Sequence, residues 1–132
     1  KITHERSKDF ASYIMEAVVT NQPYKIGGNV RNDGYIENLP SDACVEVPCY
    51  IDGTGVHPTK VGKLPAHLAA MNASNVGVQL MTIEAAVTKD RKKIYQAAML
   101  DPHTAAELNI HDIISMCDEL IEAHGDYMKE YK

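Results

Sequence analysis

Nine residues constrain this chain more than any others: Ala43–Ile51, reading ACVEVPCYI. Side chains alternate faces along a strand, so Val45, Val47, Cys49 and Ile51 fall on one side, and Cys44, Glu46, Pro48 and Tyr50 on the other. That pattern suits a strand with one buried and one open face. Pro48 cannot donate to a ladder, so the strand is expected at a sheet edge or at a bulge.

The flanking sequence surrounds that strand with turns and helices. From Glu5 to about Thr20, the spacing of Phe10, Ile14, Ala17 and Val18 predicts an amphipathic helix, which the segment Asn21-Gln22-Pro23 stops. YKIGGNVRNDGYI, residues 24–36, reads as short strands turning at Gly27-Gly28 and at Asp33-Gly34, the latter a hairpin signal. DGTGVHPTKVGK, residues 52–63, reads as a loop. Leu64-Pro65 then opens a long helix with a stripe at Val76, Leu80, Ile83 and Val87, which Asn72, Asn75 and Gly77 are placed to interrupt or kink. A helix over 90–100 ends before Pro102. In the last helix, Ile110, Ile113, Ile114, Cys117, Leu120 and Ile121 form the stripe, with Asn109 as N-cap and Gly125 as its close. The expected fold is α+β, with a small antiparallel or mixed sheet in the first half packed against several helices, in a single domain over 1–132.

Composition excludes some functions. A net charge of −5 over 132 residues, with 13 scattered Lys and Arg, lacks the basic footprint of a nucleic-acid binder. The densest basic run, KDRKK at 89–93, reads as a solvated helix face. No apolar run reaches the length of a membrane span, and no secretory leader is visible. Three cysteines, Cys44, Cys49 and Cys117, without CxxC spacing, fit free thiols in a reducing compartment, hence a cytoplasmic protein. The opening Lys1-Ile2-Thr3, without methionine, is expected of a piece of a longer protein.

Self-contained catalytic signatures are lacking: there is no P-loop, no GxSxG and no GxGxxG after a strand. The histidines at 4, 57, 67, 103, 111 and 124 form no HxH or HExxH, so no local metal site is expected. Cys44 and Cys49 lie on opposite strand faces and cannot share a metal through this strand, and Cys117 belongs to the helix core. The residues leave two readings of Glu46: an acid on the water side of a strand, or a wall of a binding pocket. His57, in the segment after that strand, stands between the same two readings.

NVRNDGYIENLPSDACVEVPCYIDGTGVHPTKVGKLP, residues 29–65, resembles the C-terminal region of glycoside hydrolase family 4. The family pattern runs loosely N-x-G-x-I-x-N-L-P, V-E-V-P, x-D-x-x-G-x-x-P and G-x-L-P. LMTIEAAVTKDRKKIYQAAMLDP (80–102) and ERSKDFASYIMEAV (5–18) resemble further family segments. The run NLPSDACVEVPC followed by DGTG is more similar to the α-galactosidases and related galacturonidases than to the 6-phospho-glucosidases.

The resemblance implies a hydrolase that depends on NAD and manganese, an exception to the usual two-carboxylate scheme. It oxidises the sugar at C3, eliminates the glycoside, adds water and returns the hydride. The family's metal-binding cysteine and histidine, its tyrosine base and its Rossmann domain are implied upstream of Lys1. No catalytic, cofactor or metal residue is therefore expected in this chain, which alone should be inactive. Its expected partners are the N-terminal Rossmann domain of the same enzyme, a small sugar and further copies in a homo-oligomer. Pocket candidates are Glu46, Asn32, Asn38 and His57. Asn29, Asn32 and Asn38 flank turns and are expected to satisfy backbone groups there. Competing readings are an α-galacturonidase, a 6-phospho-glycosidase, a stand-alone binding module or a structural domain without ligand.

Overall fold

The computed structural model describes residues 6–132 and shows an α+β chain in two compact units, one up to Leu64 and one from Pro65 on. In the first unit, helix α1 (Phe10–Thr20) leads to strand β1 (Tyr24–Arg31), then β2 (Cys44–Asp52) and β3 (Gly55–Pro58). The sheet is antiparallel in the order β1-β2-β3. The second unit contains α2 (Ala66–Thr88), α3 (Arg91–Leu100), α4 (Pro102–Glu107), α5 (Ile110–His124) and a 3-10 turn over Gly125–Met128.

The alternation read in β2 holds residue by residue. Val45, Val47, Cys49 and Ile51 are buried, whereas Cys44, Glu46, Pro48 and Tyr50 are exposed. The apolar face meets α1, which buries Ala17, and Tyr13 of α1 stacks on Tyr24 of β1 at 5.3 Å between ring centroids. The helix begins at Phe10, later than expected, with Asp9 extended at its N-cap; Glu5 lies outside the described residues. Arg6 lies instead over the Tyr13 ring at 3.6 Å and pairs with Glu16. At the C-terminal end, Asn21 takes the left-handed conformation and its Oδ1 accepts from Gly53 N, tying the helix end to the β2–β3 turn.

Three expectations about the sheet change. Gly27-Gly28 is no turn: β1 runs through both glycines and pairs with β2 over its whole length. Gly27 lies beside Glu46 and Gly28 beside Cys49, where a Cβ would come within 2.7 Å of Glu46 Oε1 and of Cys49 Sγ as they are placed, so both glycines answer to side chains on β2 and not to a backbone reversal. Asp33-Gly34 does turn, with φ of 39° and 88°, but the flanking residues form no hairpin of their own. They open instead into the loop that leads to β2.

The 52–63 segment, read as a loop, contains β3, so β2 is the central strand. Pro48 is nonetheless tolerated for the reason that suggested an edge. Its carbonyl accepts from Thr59 N and Thr59 Oγ1, so the position of its missing N–H faces the β3 side, just beyond where β3 ends at Pro58. Locally, the strand is an edge.

In the second unit α2 runs unbroken for 23 residues. The Asn72 and Asn75 amides bond back to the carbonyls of Leu68 and Met71, four residues earlier, and do not interrupt it. Its core contacts are Ala69, Val76 and Ala85, whereas Ile83 and Val87 are 58% and 76% exposed. Periodicity weights large aliphatic residues, but α2 approaches α3 on a face of small ones, and Ala97 of α3 is buried in turn. Asn109 caps α5 by accepting from His111 N and Asp112 N, and Gly125 closes it at φ 51°. The predicted α5 stripe is only partly covered: Ile113 and Cys117 are buried, but Ile110 and Leu120 are exposed. Between α3 and α5, Asp118 accepts from the Tyr95 hydroxyl at 2.5 Å and lies 3.2 Å from Arg91 Nη2.

Candidate functional site

The open face of the sheet gathers the chemistry of the first unit. The strand register sets Arg31 opposite Cys44, Asn29 opposite Glu46, Gly27 opposite Pro48 and Lys25 opposite Tyr50, which in turn faces His57 on β3. Asn29 is therefore a residue of the exposed strand face, not of a turn.

Glu46, Gly27 and Pro48, with Lys25, Ile26 and Val47, line a depression of about 320 Å³ on this side of the molecule. Gly27, without a side chain, and Pro48, opposite it in the register, both line it. Glu46 brings an acceptor-only carboxylate and Lys25 a three-donor ammonium.

His57 stands at the other end of β2. Its Nε2 lies 2.9 Å from Thr54 Oγ1 and 3.1 Å from Asp52 Oδ1. Thr54 also donates to Asp52 through its hydroxyl at 2.6 Å and its backbone N–H at 2.7 Å. These bonds hold the Asp52 pKa down from 3.8 to about 2, the Thr54 hydroxyl contributing most, then the Thr54 N–H and His57. Glu46 and Tyr50, the neighbour of His57, are four residues apart, about 13 Å along an extended strand. Glu46 and His57 thus share a face but not a contact point.

Asn32 and Asn38 occupy different surroundings. Asn32 is fully buried, and its Nδ2 donates to the carbonyls of Ile36, Leu39 and Pro40 at 2.9–3.0 Å, while its Oδ1 accepts from Ile36 N at 2.7 Å. The loop between β1 and β2 is wound around this one amide. Asn38 exchanges two bonds with Leu64, donating to its carbonyl at 2.8 Å and accepting from its N–H at 2.9 Å. Both amides satisfy backbone, as the turn chemistry predicts; that of Asn32 is saturated within the protein, whereas the exposed Asn38 keeps one N–H outside its clasp with Leu64.

Sequence reading overlooked Lys25 and Gly27. Their signal was the even spacing of 25, 27, 29 and 31, visible only once β1 is known to run straight through its glycines.

Among the described residues, no three His, Cys, Asp or Glu side chains converge as a metal-binding group. The described strands form one antiparallel sheet, without the parallel strand–helix–strand crevice that takes a dinucleotide. The described residues do not by themselves fit a manganese ion or NAD. No described helix is long and apolar enough to cross a membrane.

Residues 1–104 match the family 4 glycosyl hydrolase C-terminal domain. The chain belongs to that family. Over 131 residues, 99% of its length, it is 59% identical to an α-galactosidase of Bacillus subtilis (strain 168), of which it covers 30%. Its fold is similar to that of a 6-phospho-α-glucosidase from gut microorganisms, solved in complex with NAD and glucose 6-phosphate. The TM-score is 0.82 at 28% identity, over 93% of this chain and 27% of that one. A 6-phospho-β-glucosidase from Thermotoga maritima, solved with manganese, NAD+ and glucose 6-phosphate, gives a TM-score of 0.72 at 30% identity, over 89% of this chain and 29% of that one. The chain thus spans less than a third of the length of these family members.

Proposed function

We propose that this chain is the C-terminal part of an α-galactosidase that works with NAD and manganese, and that the open face of its sheet forms one wall of the sugar site. The observation that carries the substrate is the 59% identity to the Bacillus subtilis α-galactosidase. The two solved relatives act on 6-phosphoglucosides, which favours a second reading, a 6-phospho-glycosidase, but at about half that identity.

Manganese and NAD are held by the portion of the enzyme outside this chain; that the relatives solved with these groups are more than three times as long supports this reading. The exposed Leu68, Met71, Ile83 and Val87 of α2 support the same view, since such surface is usually covered in a complete enzyme.

Within this chain, Glu46 accepts hydrogen bonds from sugar hydroxyls, and Lys25 donates to hydroxyl oxygens from the same depression. His57, steadied by Asp52 and Thr54, presents its imidazole beside Tyr50 further along the face. Asn32 and Asn38 contribute by fixing the loop that precedes β2, not by touching sugar.

The test is turnover by the full-length protein carrying this sequence. A nitrophenyl α-galactoside should be hydrolysed only when NAD+ and Mn2+ are both supplied, and a 6-phospho-α-glucoside poorly or not at all. The reverse preference would replace this reading with the second. Glu46→Gln keeps the shape and removes the charge. It should lower kcat/KM by roughly ten- to a hundredfold, as expected for loss of a charge-assisted contact; unchanged turnover removes Glu46 from the site.

A further inference from the structure

Gly27 leaves room for one side chain in particular. A Cβ placed there would lie 2.7 Å from Glu46 Oε1, 3.3 Å from its Cδ and 3.6 Å from its Cγ, so its three nearest neighbours all belong to Glu46. The backbone gives no separate reason for glycine, since Gly27 is not among the residues with positive φ and sits in a regular eight-residue strand. Glycine weakens a strand, having no side chain to pack and the most conformational freedom to lose.

Gly28, next to it, has a packing reason. Its Cβ would meet the Sγ of Cys49 at 2.7 Å, and Cys49 is fully buried and has nowhere to go. Glu46 differs, because its carboxylate is the far end of an exposed, flexible side chain that could swing into water and admit a methyl group at small cost. The fold does not need glycine at 27. The orientation of the Glu46 carboxylate does.

Resting on the sugar-wall reading above, we infer that Gly27 is a positioning residue. By lacking a side chain, it lets the Glu46 carboxylate lie down across β1, at the edge of the depression it shares with Lys25 and Pro48. Gly27→Ala turns that carboxylate away from the sugar without disturbing the sheet.

The experiment is a set of variants in the full-length enzyme, each followed by thermal melting and by kcat and KM on a nitrophenyl α-galactoside. Gly27→Ala should melt like the wild type and lose about tenfold or more in kcat/KM, the scale of an ångström-sized misplacement. Against Glu46→Ala the same substitution should cost nothing further, because nothing is left to misplace. Glu46→Asp, shorter by one methylene, should restore part of the activity lost in Gly27→Ala.

Wild-type kinetics for Gly27→Ala, or an equal loss with and without Glu46, would overturn the positioning role. If neither Gly27→Ala nor its combination with Glu46→Asp folds, the methyl meets backbone and the inference also falls. The sugar-wall reading fails separately, on Glu46→Gln alone: an unimpaired Glu46→Gln ends both ideas, whereas an impaired Glu46→Gln beside an innocuous Gly27→Ala ends only this one.

Discussion

Asn38 and Leu64, 26 residues apart, exchange a pair of hydrogen bonds through one side-chain amide and one backbone. The clasp continues a short parallel contact, in which Ile36 bridges Gly62 and Glu37 N donates to Gly62 O. It holds the loop before β2 against the segment after β3. Asn38→Ala removes both bonds at an exposed position and should destabilise by roughly 1–2 kcal/mol, read as a shift in denaturant midpoint at unchanged slope.

Asn32 is the more demanding neighbour. Its amide nitrogen serves three carbonyls from within the protein, and a carboxylate could serve none of them. Asn32→Asp should cost roughly 3 kcal/mol or more, combining lost bonds with a buried, unpaired charge. Chemical denaturation checks this, and an Asp variant as stable as the wild type would show that the loop does not depend on the amide.

Gly28→Ala should act on stability, in contrast to its neighbour at 27. The added methyl group meets Cys49 Sγ in the packed face, and overpacking of this kind costs roughly 1–3 kcal/mol. Cys49→Ala in the same molecule should recover most of the loss, which a pair of melting curves can show.

The β2–β3 turn should respond to acid. The pKa of Asp52 is depressed in the fold, from 3.8 to about 2, so its stabilisation is present above pH 3.8 and fades as the pH falls toward 2. The difference in melting temperature between wild type and Asp52→Asn should be open at pH 5 and closed near pH 2. A difference that persists at pH 2 would mean that the bonds to Thr54 and His57 do not depend on the charge.

The three thiols should divide by exposure. Cys44 is exposed and should react with a thiol reagent in the native protein. Cys49 and Cys117 are buried, and burial pushes the Cys117 thiol pKa up, so both should react only after unfolding.

What could be read in advance follows from how local each signal is. The faces of β2, the Asn109 cap and the Gly125 close are written within a few residues of each other, and all are found in place. Gly27-Gly28 misleads because the reason for it sits on another strand, in the volumes of Glu46 and Cys49. β3 was hidden by its brevity, four residues among glycines, threonine and proline. On α2, the small-residue face outcompeted the large aliphatics, a choice that depends on how closely α3 approaches. Of the site, Glu46 and His57 were visible as a strand acid and a nearby imidazole, but their company on the open face required the register.

The two glycines at the middle of β1 also bear on how this sequence can drift. Position 27 has given its space to position 46, and position 28 has given its space to position 49. Each couple therefore evolves as one volume divided between two strands. At 28 a side chain fits without strain only where Cys49 has already shrunk, whereas at 27 the exposed Glu46 can turn aside, so geometry fixes the order of the changes for the second couple alone.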